Sequence, residues 1–165
     1  MDYKFYTPEE VKQILLRRNY HNTTVYKAVC KAAGIKLRDV KEDYETAKQR
    51  EQEAEKHLLS NQFALCDLTK SINNRVVIRL VQNYNQLHQH SKTIDDFILI
   101  DSEISKLSEH DRLLLLGYYL YNYSFSELEK LAKTKGLHVT RKHISEQVNN
   151  IVDGITNNIM QGVNE

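Results

Sequence analysis

Two short runs of this sequence carry side chains suited to nucleic-acid recognition. In the first, Lys27 and Lys31 precede Gly34, and Lys36, Arg38 and Lys41 follow it. In the second, Thr140 is followed by Arg141, Lys142, Ser145 and Asn149. Lysine and arginine meet phosphates, arginine also matches the guanine edge, and asparagine matches adenine. In this reading Lys27 and Lys31 hold phosphates, and the other seven residues meet DNA. Such contacts make and break no covalent bond, so the chain reads as a binding protein and not as an enzyme.

Other chemistries fit the residues less well. His57, His88 and His90 lack a cysteine or carboxylate cluster at ligand spacing, so no metal site is expected. Asp95 and Asp96 read as first-turn acids of a helix. Glu51, Glu53 and Glu55 read as a solvated helix face, and neither group reads as an acid–base pair. Cys66 lies on an apolar stripe without a basic neighbour, which argues against a nucleophile. There is no glycine-rich phosphate loop and no Ser/His/Asp constellation. Tyr118, Tyr119, Tyr121 and Tyr123 could stack on bases, but their density on one helix fits core and interface packing better. No catalytic residue, cofactor or small-molecule substrate is expected.

The charge distribution favours the N-terminal run. The 165 residues carry a formal net charge of only +1, so no global field draws the chain to DNA. Residues 1–41 hold nine Lys/Arg against four acids, whereas residues 101–165 hold seven against nine. A phosphate-binding face is therefore expected near the N-terminus. Two cysteines, Cys30 and Cys66, fit helical apolar faces and a reduced, cytoplasmic setting. No apolar run resembles a signal peptide or approaches membrane-spanning length.

The elements that must position these residues are helical throughout. Thr7, Pro8, Glu9 and Glu10 form a strong helix start, and Val11, Ile14 and Leu15 supply its apolar stripe. Residues 19–22 are a polar break, and a second helix ends at Gly34. Cys30, Gly34, Ile35 and Val40 then have the spacing of a helix-turn-helix. A small residue sits where the helices cross, a glycine makes the turn, and two apolar residues close it. The same spacing also suits a hairpin that merely packs.

From Leu37 a heptad pattern runs through positions 37, 40, 44, 47, 51, 54, 58, 61, 65, 68 and 72, nine of them apolar. It predicts a long central helix with a narrow seam, packed against either a second copy or its own domain. Glu51 and Asn61 interrupt the seam, and an asparagine there can set register. Asn73 and Asn74 predict a turn, residues 75–88 a helix and residues 88–92 a loop. Thr93 is expected to cap a further helix carrying Ile94, Phe97, Ile98, Ile104 and Leu107.

Residues 108–155 predict three helices: 109–122 after Ser108, 126–134 capped by Ser124 or Ser126 and ending at Gly136, and a last helix capped by Thr140. Ile144, Val148, Ile151, Val152 and Ile155 mark the buried face of that last helix. Arg141, Lys142, Ser145 and Asn149 are assigned to the opposite face. The turn before it is about two residues longer than in the compact motif, and the polar tail from Thr156 is expected to fray.

The stretch from Leu107 through Gly117, Tyr118, Tyr119 and Leu120 to Val152 resembles the C-terminal part of the RinA/ArpU group of phage transcription activators. More remotely, it resembles region 4 of sigma factors. Two departures stand out: Gly117 occupies a position that is often basic, and the local charge is acidic. The resemblance covers about residues 105–155. It implies a phage or prophage regulator acting at promoter DNA in the bacterial host, with RNA polymerase as a further partner.

The expectation is an all-α protein with helix-turn-helix units near both ends joined by a long central helix. Its divisions are 1–36, 37–107, 108–155 and a frayed 156–165. A homodimer would place two readers on successive major-groove faces of double-stranded DNA. Two alternatives remain: a small terminase subunit, and a protein-interaction module acting on a host or phage protein.

Overall fold

A computed structural model describes residues 3–17, 56 and 60–163, and every regular element among them is helical. The chain is all-α. It divides into two compact units, one of Phe5–Arg75 and one of Val76–Glu165 with Met1–Lys4. The glycine turn expected within residues 28–40 lies outside the described residues. So do Lys27, Lys31, Lys36, Arg38, Lys41 and the heptad positions before 61, including Leu58.

In the first unit, helix α1 (Pro8–Arg17) starts where expected. The Thr7 hydroxyl accepts from the Glu10 backbone N–H at 3.2 Å and donates to the Glu10 carboxylate at 3.3 Å, satisfying an N–H that the helix start leaves open. Val11 is buried against Leu65, Leu68 and Ile72, with Tyr6, Ile14 and Ala64 packed around them. Those three partners are heptad positions, so the seam expected at 65, 68 and 72 is filled from within the chain.

Helix α2 (Gln62–Gln82) runs straight through Asn73 and Asn74, where the sequence predicted a turn. Asn73 is fully buried. Its carboxamide accepts from the Tyr6 backbone N–H at 2.8 Å and donates to the Tyr6 carbonyl at 2.8 Å. The polar side chain that locally favours a turn is thus satisfied by a distant backbone segment, and the helix need not break. Asn61 is likewise no register-setting seam residue. Its side-chain oxygen accepts from Phe63 N at 3.0 Å and Ala64 N at 3.2 Å, which makes it the cap of α2. Cys66, assigned to an apolar face, is exposed.

In the second unit, α2 contributes Val76, Val77, Leu80 and Val81, all buried. The helix expected over 75–88 is split at Asn83, whose amide donates to the Arg79 carbonyl at 2.9 Å. The short α3 (Tyr84–Leu87) follows, then a 3-10 turn at Ser91–Thr93 and helix α4 (Ile94–Ser105). Thr93 precedes α4 without capping it. Its hydroxyl donates backward, to the Leu87 carbonyl at 2.6 Å and the His90 carbonyl at 3.2 Å. Ile100 and Ile104 supply the buried side of α4, whereas Ile94 and Ile98 are exposed. Tyr84 donates a hydrogen bond to Asp101 and stacks on Phe97 at 5.4 Å, tying α3 to α4.

Helices α5 (Glu109–Tyr119), α6 (Phe125–Thr134) and α7 (Arg141–Val163) pack against one another. Their core includes Leu114, Leu115, Leu128, Ala132, Ile144, Val148 and Ile151. Helix α5 ends at Tyr119, three residues earlier than predicted. Helix α7 does not fray at Thr156: Thr156 and Ile159 are buried, and the Thr156 hydroxyl donates to the Val152 carbonyl at 3.0 Å. The tail looks polar in sequence because its one apolar row is narrow, yet that row continues the buried face to Ile159.

Candidate nucleic-acid interface

The three-helix unit is held by caps that the sequence announces. Ser108 accepts from the Asp111 N–H at 3.1 Å. Ser124 and Glu127 form a complete capping box, with Glu127 N to Ser124 Oγ at 3.2 Å and Ser124 N to Glu127 Oε2 at 3.0 Å. Thr140 accepts from the His143 N–H at 3.3 Å. Each cap fixes where its helix begins, and so the direction in which the first turn projects.

Two tight corners set the crossings. Gly117 is buried in α5 where a Cβ would lie 2.7 Å from Leu128 Cδ2 and 3.3 Å from Tyr123 Cδ2. A side chain there would force the Leu128 side chain to move. Gly136 closes α6 with φ +77°. Its N–H donates to the Lys133 carbonyl at 3.0 Å, while the Leu137 N–H reaches the Ala132 carbonyl at 2.9 Å. These two bonds make a Schellman stop, which needs a residue tolerant of positive φ. The loop then leads to Thr140 and α7.

On α7, Ile144, Val148, Ile151, Val152 and Ile155 are buried as expected. Arg141, Lys142 and Asn149 are exposed, and Ser145 is half-buried at the margin of the packed face. Lys142 and Asn149 are two turns apart on one row, with the exposed Glu146 between them. Arg141 and Ser145 form the neighbouring row. The structure therefore brings these four residues onto adjacent rows of one helix, but with an acid among them.

The electrostatics of the first turn are unusual for this chain. Helices α1, α4, α5 and α6 carry acids in their first turn, where the helix dipole favours them, and α2 and α3 carry none. Helix α7 also has no first-turn acid, and it alone of the described helices opens on basic residues, Arg141, Lys142 and His143. Arg141 Nε lies 3.5 Å from Glu129 Oε2, and the same carboxylate receives Lys133 Nζ at 3.3 Å on Oε1. Lys135 pairs with Glu109 at 3.4 Å. Glu129 and Lys133 are not among the site residues that the sequence suggests. Their own four-residue spacing is legible there, whereas the pairing with Arg141 depends on the path of the loop.

The aromatic residues behave mostly as packing groups. Tyr118 stacks on Phe125 at 4.4 Å and meets Tyr119 edge-on at 4.8 Å. Burial pushes the Tyr119 hydroxyl pKa up, with Tyr118 adding to the effect. Tyr121 and Tyr123 are exposed at the α5–α6 corner, on either side of Asn122 at φ 57°.

A cleft of about 320 Å³ lies between the end of α4, the start of α5 and α7. Its carboxylates are engaged. Glu103 pairs with Lys106 at 2.9 Å and accepts from Asn158 at 3.1 Å, and Asp111 accepts from Gln147 at 2.8 Å. Among the described residues no group of three or more His, Cys, Asp or Glu is arranged to hold a metal ion. No helix among them is long and apolar enough to cross a membrane.

No family model matches the chain, and no curated protein or solved structure matches it either.

Proposed function

We propose that the chain is a phage- or prophage-type transcription regulator that binds double-stranded DNA, with the first two turns of α7 as a reading element. The observation that carries this is the inverted first turn of α7. Cations stand at the positive end of the helix dipole, on an exposed surface, backed by a packed three-helix unit. Cations there cost about 0.3–1 kcal/mol each, offset in part for Arg141 by its ion pair with Glu129. A phosphate at Lys142 or a base edge at Arg141 offsets what remains of that cost. The RinA/ArpU-like order of helices is a second support, and residues 27–41 supply a second candidate reader.

The test is selection of bound sequences from a random duplex pool, run on the intact chain and on two double variants. Arg141→Ala with Lys142→Ala should lower affinity. It should also flatten the salt dependence, by a slope of about 0.9 for each phosphate no longer neutralised. Lys36→Ala with Arg38→Ala asks the same of the first run. Enrichment of no duplex at low salt would sink the reading.

A protein partner is the second reading, favoured by Ile94 and Ile98, which lie four residues apart on α4 and are 46% and 60% exposed. Loss of binding to immobilised RNA polymerase on Ile98→Glu, with DNA binding intact, would support it.

A further inference from the structure

We propose that Glu129 is the positioning residue that makes Arg141 a reader of guanine and not a general phosphate ligand. The inference rests on the DNA-binding reading above. Arg141 is the first residue of α7, and its side chain is 66% exposed, whereas that of Glu129 is 23% exposed on the adjoining α6. The carboxylate meets the guanidinium from its Nε side, at 3.5 Å. A guanidinium is a planar fork of five N–H donors. With the carboxylate on the Nε side of Arg141, the remaining donors face away from Glu129.

That arrangement suits the O6/N7 edge of guanine, which accepts two parallel N–H bonds in the major groove. It also suppresses the alternative. A half-buried carboxylate beside the arginine repels a phosphate but not a neutral base. Lys133 on the other carboxylate oxygen, at 3.3 Å, holds Glu129 in place and moderates its charge. Any bias that the ion pair gives the fork before the DNA arrives reduces the side-chain freedom lost on binding.

The experiment starts from the duplex selected by the intact chain. Each guanine is replaced in turn by 7-deazaguanine, which lacks the N7 acceptor, and affinity is measured for the wild type, Glu129→Gln, Glu129→Asp and Arg141→Lys. The wild type should lose about tenfold in affinity at one guanine. Glu129→Gln and Arg141→Lys should lose that discrimination. Affinity of Glu129→Gln for random duplex should hold or rise, and Glu129→Asp should restore part of the discrimination. Arg141→Lys changes only an exposed side chain, so it keeps the test open if Glu129→Gln misfolds. Full discrimination by Glu129→Gln or by Arg141→Lys overturns the inference while leaving DNA binding standing. Failure of the wild type to select any duplex overturns both.

Discussion

The Asn73 carboxamide pairs with both backbone polar groups of Tyr6, accepting from its N–H and donating to its carbonyl, each at 2.8 Å. One side chain thereby pairs both polar groups of a non-helical residue, and it does so from the middle of a helix. Leaving buried polar groups without partners is costly. Asn73→Ala should therefore destabilise the chain by about 2 kcal/mol, read as a lower urea midpoint. The Tyr6 amide should exchange its hydrogen faster. A change at Asn73 that left both unaltered would show the pairing to be energetically idle.

Two glycine-to-alanine substitutions should have opposite signs. At Gly117 a Cβ meets the buried Leu128 at 2.7 Å, so Gly117→Ala should cost about 1 kcal/mol or more through overpacking. At Gly154, on α7, nothing lies within 4 Å of a Cβ. Gly154→Ala should raise stability by about 0.5–1 kcal/mol through helix propensity. Thermal unfolding of the two variants beside the wild type checks both.

The end of α7 gives a third outcome. Ile159 is 4% exposed, and Ile159→Ala should lower stability by about 2–4 kcal/mol. A fraying tail would tolerate the same change with no measurable shift in the unfolding midpoint.

Tyr84 supplies a pH dependence. Burial, reinforced by the hydrogen bond to Asp101, pushes its hydroxyl up to about 12 from an ordinary 10.0. The folded state thus holds this proton more tightly than the unfolded chain. The resulting stabilisation is complete below pH 10 and is lost as the pH rises from 10 to about 12. Wild type and Tyr84→Phe should differ in urea midpoint below pH 10 and converge above it. A constant gap across that range would contradict the assignment.

Local signals are legible in the sequence where one short-range rule decides the outcome. Thr7, Ser108, Ser124 and Thr140 bond within their own first turns, so a reading of neighbours finds them. Gly136 is similar, because its positive φ is a property of one residue. Asn73 reads as a turn because its true partner is 67 residues away. Asn61 reads as a seam residue because capping and seam positions look alike until the helix start is known. Of the candidate site, the buried and exposed rows of α7 follow from helical spacing. The Glu129–Arg141 pair does not, since it depends on how a loop returns one helix to another.

The division of α7 has an evolutionary consequence. Its buried row carries the fold, while Lys142, Glu146 and Asn149 stand on rows that the core does not use. Substitutions at such exposed positions shift stability by no more than about 0.5 kcal/mol. Whatever the outward rows touch can therefore change one residue at a time without the fold acting as a brake. Related chains should diverge fastest along that surface, while the isoleucine row from Ile144 to Ile159 stays fixed.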